Sequence, residues 1–285
     1  MKQNKVMRDL QRLLETQNFK SEEEINAFLI KYQSEGIPEF PEDVLNAKET
    51  AENKVYQAYD SSKTKGIKLA EEALKLDKDC ILAYQYLGEQ QKNLNKAKDY
   101  YHKGIEIGKK KFGGKFEEEN KGHFWMIFET RPYMTCIFNL SECEYISGNI
   151  DESIRLIEHL LELNPNDNQG VRYILSSHLL EAKKYHKYEK HSKANKDDVG
   201  IFFKFNNALY EFIKSGNSLK SINLLKKAIE HNQYVISKLN KKSKILDSRY
   251  STGSKEEANY YCEYNAKNWQ ESKGAIEWAK TVNSK

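Results

Sequence analysis

The stretch that most restricts what this chain can fold into runs from Met134 to Pro165. Counting Met134 as one, Leu140 stands at seven, Ser141 at eight, Ser153 at twenty and Pro165 at thirty-two of a 34-residue unit. Small residues at eight and twenty let two helix backbones approach closely. A proline near the end stops the second helix, because it lacks an N–H and disfavours the α conformation in the residue before it. The turn reads GNIDE: Gly148 leaves the first helix through a left-handed conformation, and Asn149 with Glu152 gives an N-x-x-E cap for the second. A hairpin of this kind buries its apolar face only by stacking on others like it, so the rest of the chain should supply neighbours.

It does. A helix is expected from Glu42 to Tyr59, with Val44, Leu45, Ala51, Val55 and Ala58 on one side, then a turn from Ser61 to Gly66 and a second helix through Leu76. CILAYQYLGEQQ and LNKAKDYYHKGIEIG make the next hairpin, with Gly88 and Ala97 at the small positions and a shortened turn. Residues 108–122, with four glycines and no periodicity, are expected to be a loop. A fourth unit starts at Asn168, and its second helix, around KKYHKYEKHSK, is unusually polar. A fifth starts near Asp198 and carries Ala208, Ser221 and Ala228 at small positions, with Gly216-Asn217 at the turn.

The ends differ from the middle. Residues 1–41 form an N-terminal helical cap: Leu10, Leu13 and Leu14 are spaced helically, Ser21 with Glu24 is a capping-box pattern, and Gly36, Pro38 and Pro41 break the chain. Residues 42–236 hold about five hairpins. Residues 237–285 are a basic linker followed by capping helices, opened by Ser254 and Glu257, in which Trp269 and Trp278 dock the cap on the stack. The fold class is therefore all-α, a right-handed superhelical stack of helical hairpins closed at both ends.

Composition removes several functions. Among 285 residues, 46 basic and 42 acidic side chains leave a net charge of only +4, too balanced for a nucleic-acid coat by charge alone. The four cysteines, at 80, 136, 143 and 262, include no CxxC and read as buried free thiols. No apolar run reaches the length of a membrane span, and the first residues have no signal-peptide core, so a soluble cytoplasmic protein is expected. Chemistry is equally thin. The Gly113-Gly114 pair lacks the spacing of a phosphate loop, and no GxSxG occurs. His123 and Glu129, or His186 and His191, do not have metal-ligand spacing. No catalytic residue, metal or cofactor is expected, and an enzyme with a site not visible in sequence is the least favoured reading.

The unit from Met134 to Pro165 has the pattern of a tetratricopeptide (TPR) repeat. Beyond it, GHFWMIFETRPYM, LNPNDNQGVRY and YSTGSKEEANYY, with the MRDLQRLLETQNFKSEEEINAFL opening, resemble a group of TPR-like bacterial proteins of unassigned activity linked to the suppressor of tumorigenicity 7 family. The resemblance spans most of the chain. It implies a helical repeat fold and a scaffold or adaptor role, and brings no substrate.

In a TPR array the first helices line a concave face that grips a peptide or a helix. The residues at or near first helices that suit such a grip are His123, Trp125, Glu129, Arg131, Tyr133, Asn139, Asn168, Gln169, Arg172, Tyr173 and Asn206. Asparagine offers both donor and acceptor to a peptide backbone, and arginine holds a carboxylate with two parallel bonds. Arg131 and Arg172 are the strongest of these. The same positions also have structural readings: Asp167 or Asn168 as a helix cap, Pro132 as a first-turn residue, and His123 as a packed or capping residue. A protein or peptide partner is expected. The alternative partner is a nucleic acid, tracked by the basic KLNKKSKILDSRY segment, the KKK run and stacked aromatic residues.

Overall fold

The structure is a computed structural model that describes residues 6, 9, 10, 12–14, 16–38, 45–240 and 250–284. Regular structure among the described residues is helical throughout, so the all-α expectation holds. By internal contacts the chain divides into two units, Met1–Asn120 with Phe124–Cys143, and Lys121–His123 with Glu144–Lys285. Pro41 and Val44, the expected start of a helix at Glu42, and most of the basic segment at 241–249 lie outside the described residues.

In the first unit, α1 spans Glu22–Glu35. Its N-cap Ser21 accepts from the Glu24 N–H, while the Glu24 carboxylate returns to the N–H of Lys20. The next helix, α2, is Ala47–Tyr59 and starts later than its apolar pattern suggested. Asn46 and Glu49 form a reciprocal capping box, which fixes the start where both donors are satisfied. Helix α3 is Lys63–Leu76 and begins ahead of Gly66, which was expected in the turn. Helix α4, Ile81–Glu89, and α5, Leu94–Phe112, follow, with the Asn93 side chain capping α5. The hairpin pairs α2/α3 and α4/α5 pack side by side through α3 and α4, and through α2 and α4. Ala51, Val55, Ala58, Ala70 and Ala73 are fully buried between them.

The loop expected at residues 108–122 is instead largely helical. Helix α5 runs on to Phe112, and α6 spans Lys115–Asn120. Gly108 was misleading because it sits inside the helix for a packing reason. A Cβ there would lie 2.1 Å from Cδ2 of Tyr133, so the glycine admits the ring of the following first helix. That helix, α7, is Arg131–Ile146 and runs from the first unit into the second. Ahead of it, Phe124–Met126 and Phe128–Thr130 form two short 3₁₀ turns, tied by the Thr130 hydroxyl donating to the carbonyls of Phe124 and Ile127. Phe112, Phe116, Phe124 and Tyr133 pack as one aromatic cluster.

In the second unit, Gly148 has φ +86 and makes the expected left-handed exit. The N-x-x-E cap at α8 (Ile150–Leu163) does not form, although Asn149 is the N-cap residue. Its side-chain amide donates to Glu144 at 2.7 Å, and Glu152 is held by two bonds from Arg155. Both side chains thus found charged partners, which outcompete a neutral cap. Asn164 and Pro165 end α8 as expected. Helices α9 (Val171–Glu181) and α10 (Tyr185–Ala194), then α11 (Ile201–Ser215) and α12 (Leu219–His231), are the next two hairpins. The polar α10 is a true helix that buries Tyr188, whose hydroxyl donates to Asn207.

The tail adds α13 (Val235–Lys238), α14 (Lys255–Glu271) and α15 (Ala275–Asn283). The Ser254 side chain caps α14, but the Glu257 carboxylate bonds Asn232 and Gly253 rather than closing a capping box. Helix α14 packs against both first helices of this unit, α9 and α11. Trp269 is fully buried and donates to the Tyr261 hydroxyl, while Trp278 donates to Asn217 and stacks on Phe212 at 4.3 Å.

Candidate functional site

In the first unit the first helices present one polar-aromatic stripe each. On α2 the stripe is Glu49, Glu52, Tyr56 and Tyr59, and on α4 it is Ile81, Gln85 and Glu89. Arg131 and Thr135 supply it on α7. Spacings of three and four place each set on one face of its helix. Cross-links hold the stripes side by side. Tyr59 donates to Glu89 at 3.0 Å, Gln85 donates to both Tyr59 and Glu89, and Asn139 donates to Glu89 at 3.4 Å. Together they line a groove of about 860 Å³, within the range of ligand sites. Its apolar contacts come from Tyr56, Ile81, Leu82, Phe112, Phe128 and Pro132.

The groove is negatively charged on balance. Glu49, Glu52, Asp77, Asp79, Glu89 and Glu129 face Arg12, Lys48, Lys111 and Arg131. Arg12 pairs with Glu49 through both carboxylate oxygens, and Lys48 pairs with Glu129. Burial lowers the Lys48 pKa, yet Glu129, with Glu52 and Asp77 beyond it, raises it by more, so the surrounding field is acidic. Lys111 is spent on the Asp79 carbonyl at 2.9 Å. Cys80 lies at the groove as well, and burial pushes its thiol up to about 12, far from a reactive thiolate.

Arg131 is arranged differently from every other cation here. Its Nε donates to the Trp125 carbonyl at 2.9 Å, and its guanidinium lies 4.9 Å from the Phe128 ring centroid and 5.3 Å from that of Trp125. The two terminal nitrogens have no hydrogen-bond partner among the described residues. The side chain is therefore held in place by groups that leave its bidentate end open. Proline at 132 and the 3₁₀ turns set the position of Arg131 as the first residue of α7.

Arg172 has the opposite arrangement. Its Nη1 bonds Asp167, its Nε bonds Asp198, and its Nη2 donates to the Tyr173 hydroxyl at 2.6 Å. Asp167, at φ +50, also accepts from the backbone N–H groups of Val171 and Arg172 and so caps α9. The LNPNDNQGVRY motif is thus a clasp on the start of α9, and Tyr173 closes it by donating to Asp198.

The remaining sequence candidates fall into separate places. Trp125, Glu129, Arg131, Tyr133 and Asn139 belong to the first unit; His123, Asn168, Gln169, Arg172, Tyr173 and Asn206 belong to the second. Tyr133 is 2% exposed and serves the aromatic cluster. Asn206 is fully buried, donating to Ser176 and accepting from Tyr261 on α14. His123 and Asn168 are exposed and Gln169 is half-buried. Sequence reasoning missed Glu52, Tyr56, Asp77, Asp79 and Gln85, all of which line the groove. The helical register of α2 and α4 was available to find Glu52, Tyr56 and Gln85, since each lies one or two turns from a neighbour on the same stripe, whereas Asp77 and Asp79 lie in the turn before α4, where no register reports them.

Among the described residues there is no group of three or more His, Cys, Asp or Glu side chains placed to hold a metal ion. All four cysteines are free and buried. Among the described residues no helix is long and apolar enough to cross a membrane.

No family model matches the chain. No curated protein matches it at a significant level. Among solved structures the chain is similar to YrrB, described as a TPR protein with an unusual peptide-binding site. The two are 17% identical, with a TM-score of 0.46, over 65% of this chain and 84% of that one. The resemblance to the suppressor of tumorigenicity 7 family has no counterpart in these comparisons.

Proposed function

We propose that this chain is a non-enzymatic TPR-like scaffold that takes an extended peptide of a protein partner into the groove of the first unit. The observation that carries the reading is the open bidentate end of Arg131 at the edge of a groove lined by three first helices. A carboxylate, either a side chain or a chain terminus, is the group that satisfies it with two parallel bonds. The aromatic and aliphatic lining then covers the rest of an extended chain, and Gln85 and Thr135 lie within the same groove for backbone contacts. Phosphate is poorly suited to a groove with six carboxylates, and this favours a peptide over a nucleic acid there. Four buried free thiols fit a reducing compartment, the cytoplasm.

In the second unit the corresponding inner surface is covered by the chain's own α14, and Arg172 and Asn206 spend their hydrogen bonds internally. The two arginines are therefore expected to separate in an experiment. Short random peptides are selected on the immobilised protein, and the affinities of the winners are measured for the wild type, Arg131→Gln and Arg172→Gln. A lost charged bidentate contact weakens binding about 10- to 100-fold in Arg131→Gln. Arg172→Gln keeps the affinity and lowers the melting temperature. Equal affinity of Arg131→Gln and wild type for every selected peptide would remove the groove as the binding site.

A further inference from the structure

The groove carries a charge opposite to that of the chain that holds it. The whole sequence is at +4, whereas the groove lining has six carboxylates and four cations. Two of those cations, Arg12 and Lys48, are committed to Glu49 and Glu129, and Lys111 is committed to a backbone carbonyl. What faces an incoming chain is thus uneven. Arg131 offers its two open terminal nitrogens, and Asp77 and Asp79, in the turn before α4, offer carboxylates. One Asp77 oxygen accepts from the Asp79 N–H at 2.9 Å, which orders the turn and leaves the carboxylate charge in place. The acidic field acting on Lys48 includes both Glu52 and Asp77, so these two belong to one local field and not to scattered surface charge.

We infer that the groove selects a peptide carrying at least one lysine or arginine, seated against Asp77 and Asp79, in addition to the carboxylate held by Arg131. This deepens the peptide-groove reading and depends on it. A peptide of purely acidic character would satisfy Arg131 and meet repulsion from Asp77 and Asp79. A purely basic one would satisfy those two carboxylates and leave Arg131 open. A peptide of mixed charge with correctly ordered signs meets neither penalty, so charge order along the peptide becomes the specificity device.

The test uses the full-length protein and a library of short random peptides, selected separately on the wild type and on Asp77→Asn/Asp79→Asn. Asparagine keeps the side-chain oxygen that accepts from the backbone of the turn, so the fold is retained while the charge is removed. The expected result is enrichment of lysine or arginine together with an acidic group in wild-type winners. Those winners bind the double variant about tenfold more weakly, and the loss shrinks as salt rises. Wild-type winners that depend on Arg131 but show no basic enrichment, or that bind the double variant equally well, overturn this inference and leave the groove reading standing. Winners indifferent to Arg131→Gln overturn both.

Discussion

His178 shows how much one buried side chain sets the behaviour of the second unit. It is fully buried, stacked on Tyr145 with ring centroids 4.1 Å apart, and its Nδ1 lies 3.2 Å from the Ser153 hydroxyl. Among the described residues its Nε2 has no hydrogen-bond partner. Burial pushes its pKa down to about 4, so the folded protein holds it neutral. The unfolded chain protonates the same residue near its ordinary value of about 6.5. Between those two values the unfolded state binds the extra proton, and stability therefore falls as pH drops through this window, levelling off below about pH 4. Comparing urea unfolding at about pH 7 and about pH 4.5, the acid-induced loss should be about 2 kcal/mol smaller in His178→Phe, which keeps the stacking and removes the titrating group. An identical loss in both proteins would show that His178 is not the residue responsible.

At the scale of the helical element, the glycines separate packing from backbone conformation. Gly108→Ala places a methyl 2.1 Å from the ring of Tyr133, which is itself confined by Phe112 and Phe124. Overpacking of this kind costs about 1–3 kcal/mol, more than the helix-propensity gain of about 1 kcal/mol offsets at the upper end. Gly148→Ala meets no atom within 4 Å and has only its φ of +86 against it, a strain of about 1–2 kcal/mol. Thermal melts should then show Tyr133→Leu partly rescuing Gly108→Ala and doing nothing for Gly148→Ala. The same pair of residues explains what was legible in the sequence. The Gly148 turn, the Pro165 stop and the buried small residues Ser141, Ser153, Ala208 and Ser221 follow local rules, so they were readable in advance. Gly108 is inside a helix because of Tyr133, twenty-five positions away, and no local rule reports that. The groove was partly legible for a similar reason: Arg131 stood out beside a proline in an aromatic run, but its distinction from Arg172 depends in part on Asp198, which is remote in sequence from the motif and completes the bonds Arg172 makes to Asp167 and Tyr173.

Across the whole chain, the three tryptophans sort themselves into one reporter and two structural anchors. Trp269 is fully buried and Trp278 is 7% exposed, both inside the second unit and both hydrogen-bonded through their indole N–H. Trp125 is half-buried in the first unit, with the Arg131 guanidinium over its ring and its carbonyl bonded to Arg131 Nε. A carboxylate arriving at Arg131 draws on the charge that lies over the indole, so the emission of Trp125 should respond to occupancy of the groove while the other two stay constant. Titration with a selected peptide is expected to change intrinsic fluorescence in the wild type. In Trp125→Phe the optical response should vanish, while the affinity measured by calorimetry changes by no more than about twofold, since phenylalanine keeps an aromatic face under the guanidinium. Acrylamide quenching should follow the same division, with most of the quenchable emission belonging to Trp125 and falling when peptide is bound. A fluorescence response that survives in Trp125→Phe would mean that the peptide acts on the second unit, where Trp269 and Trp278 reside, and would move the binding site away from Arg131.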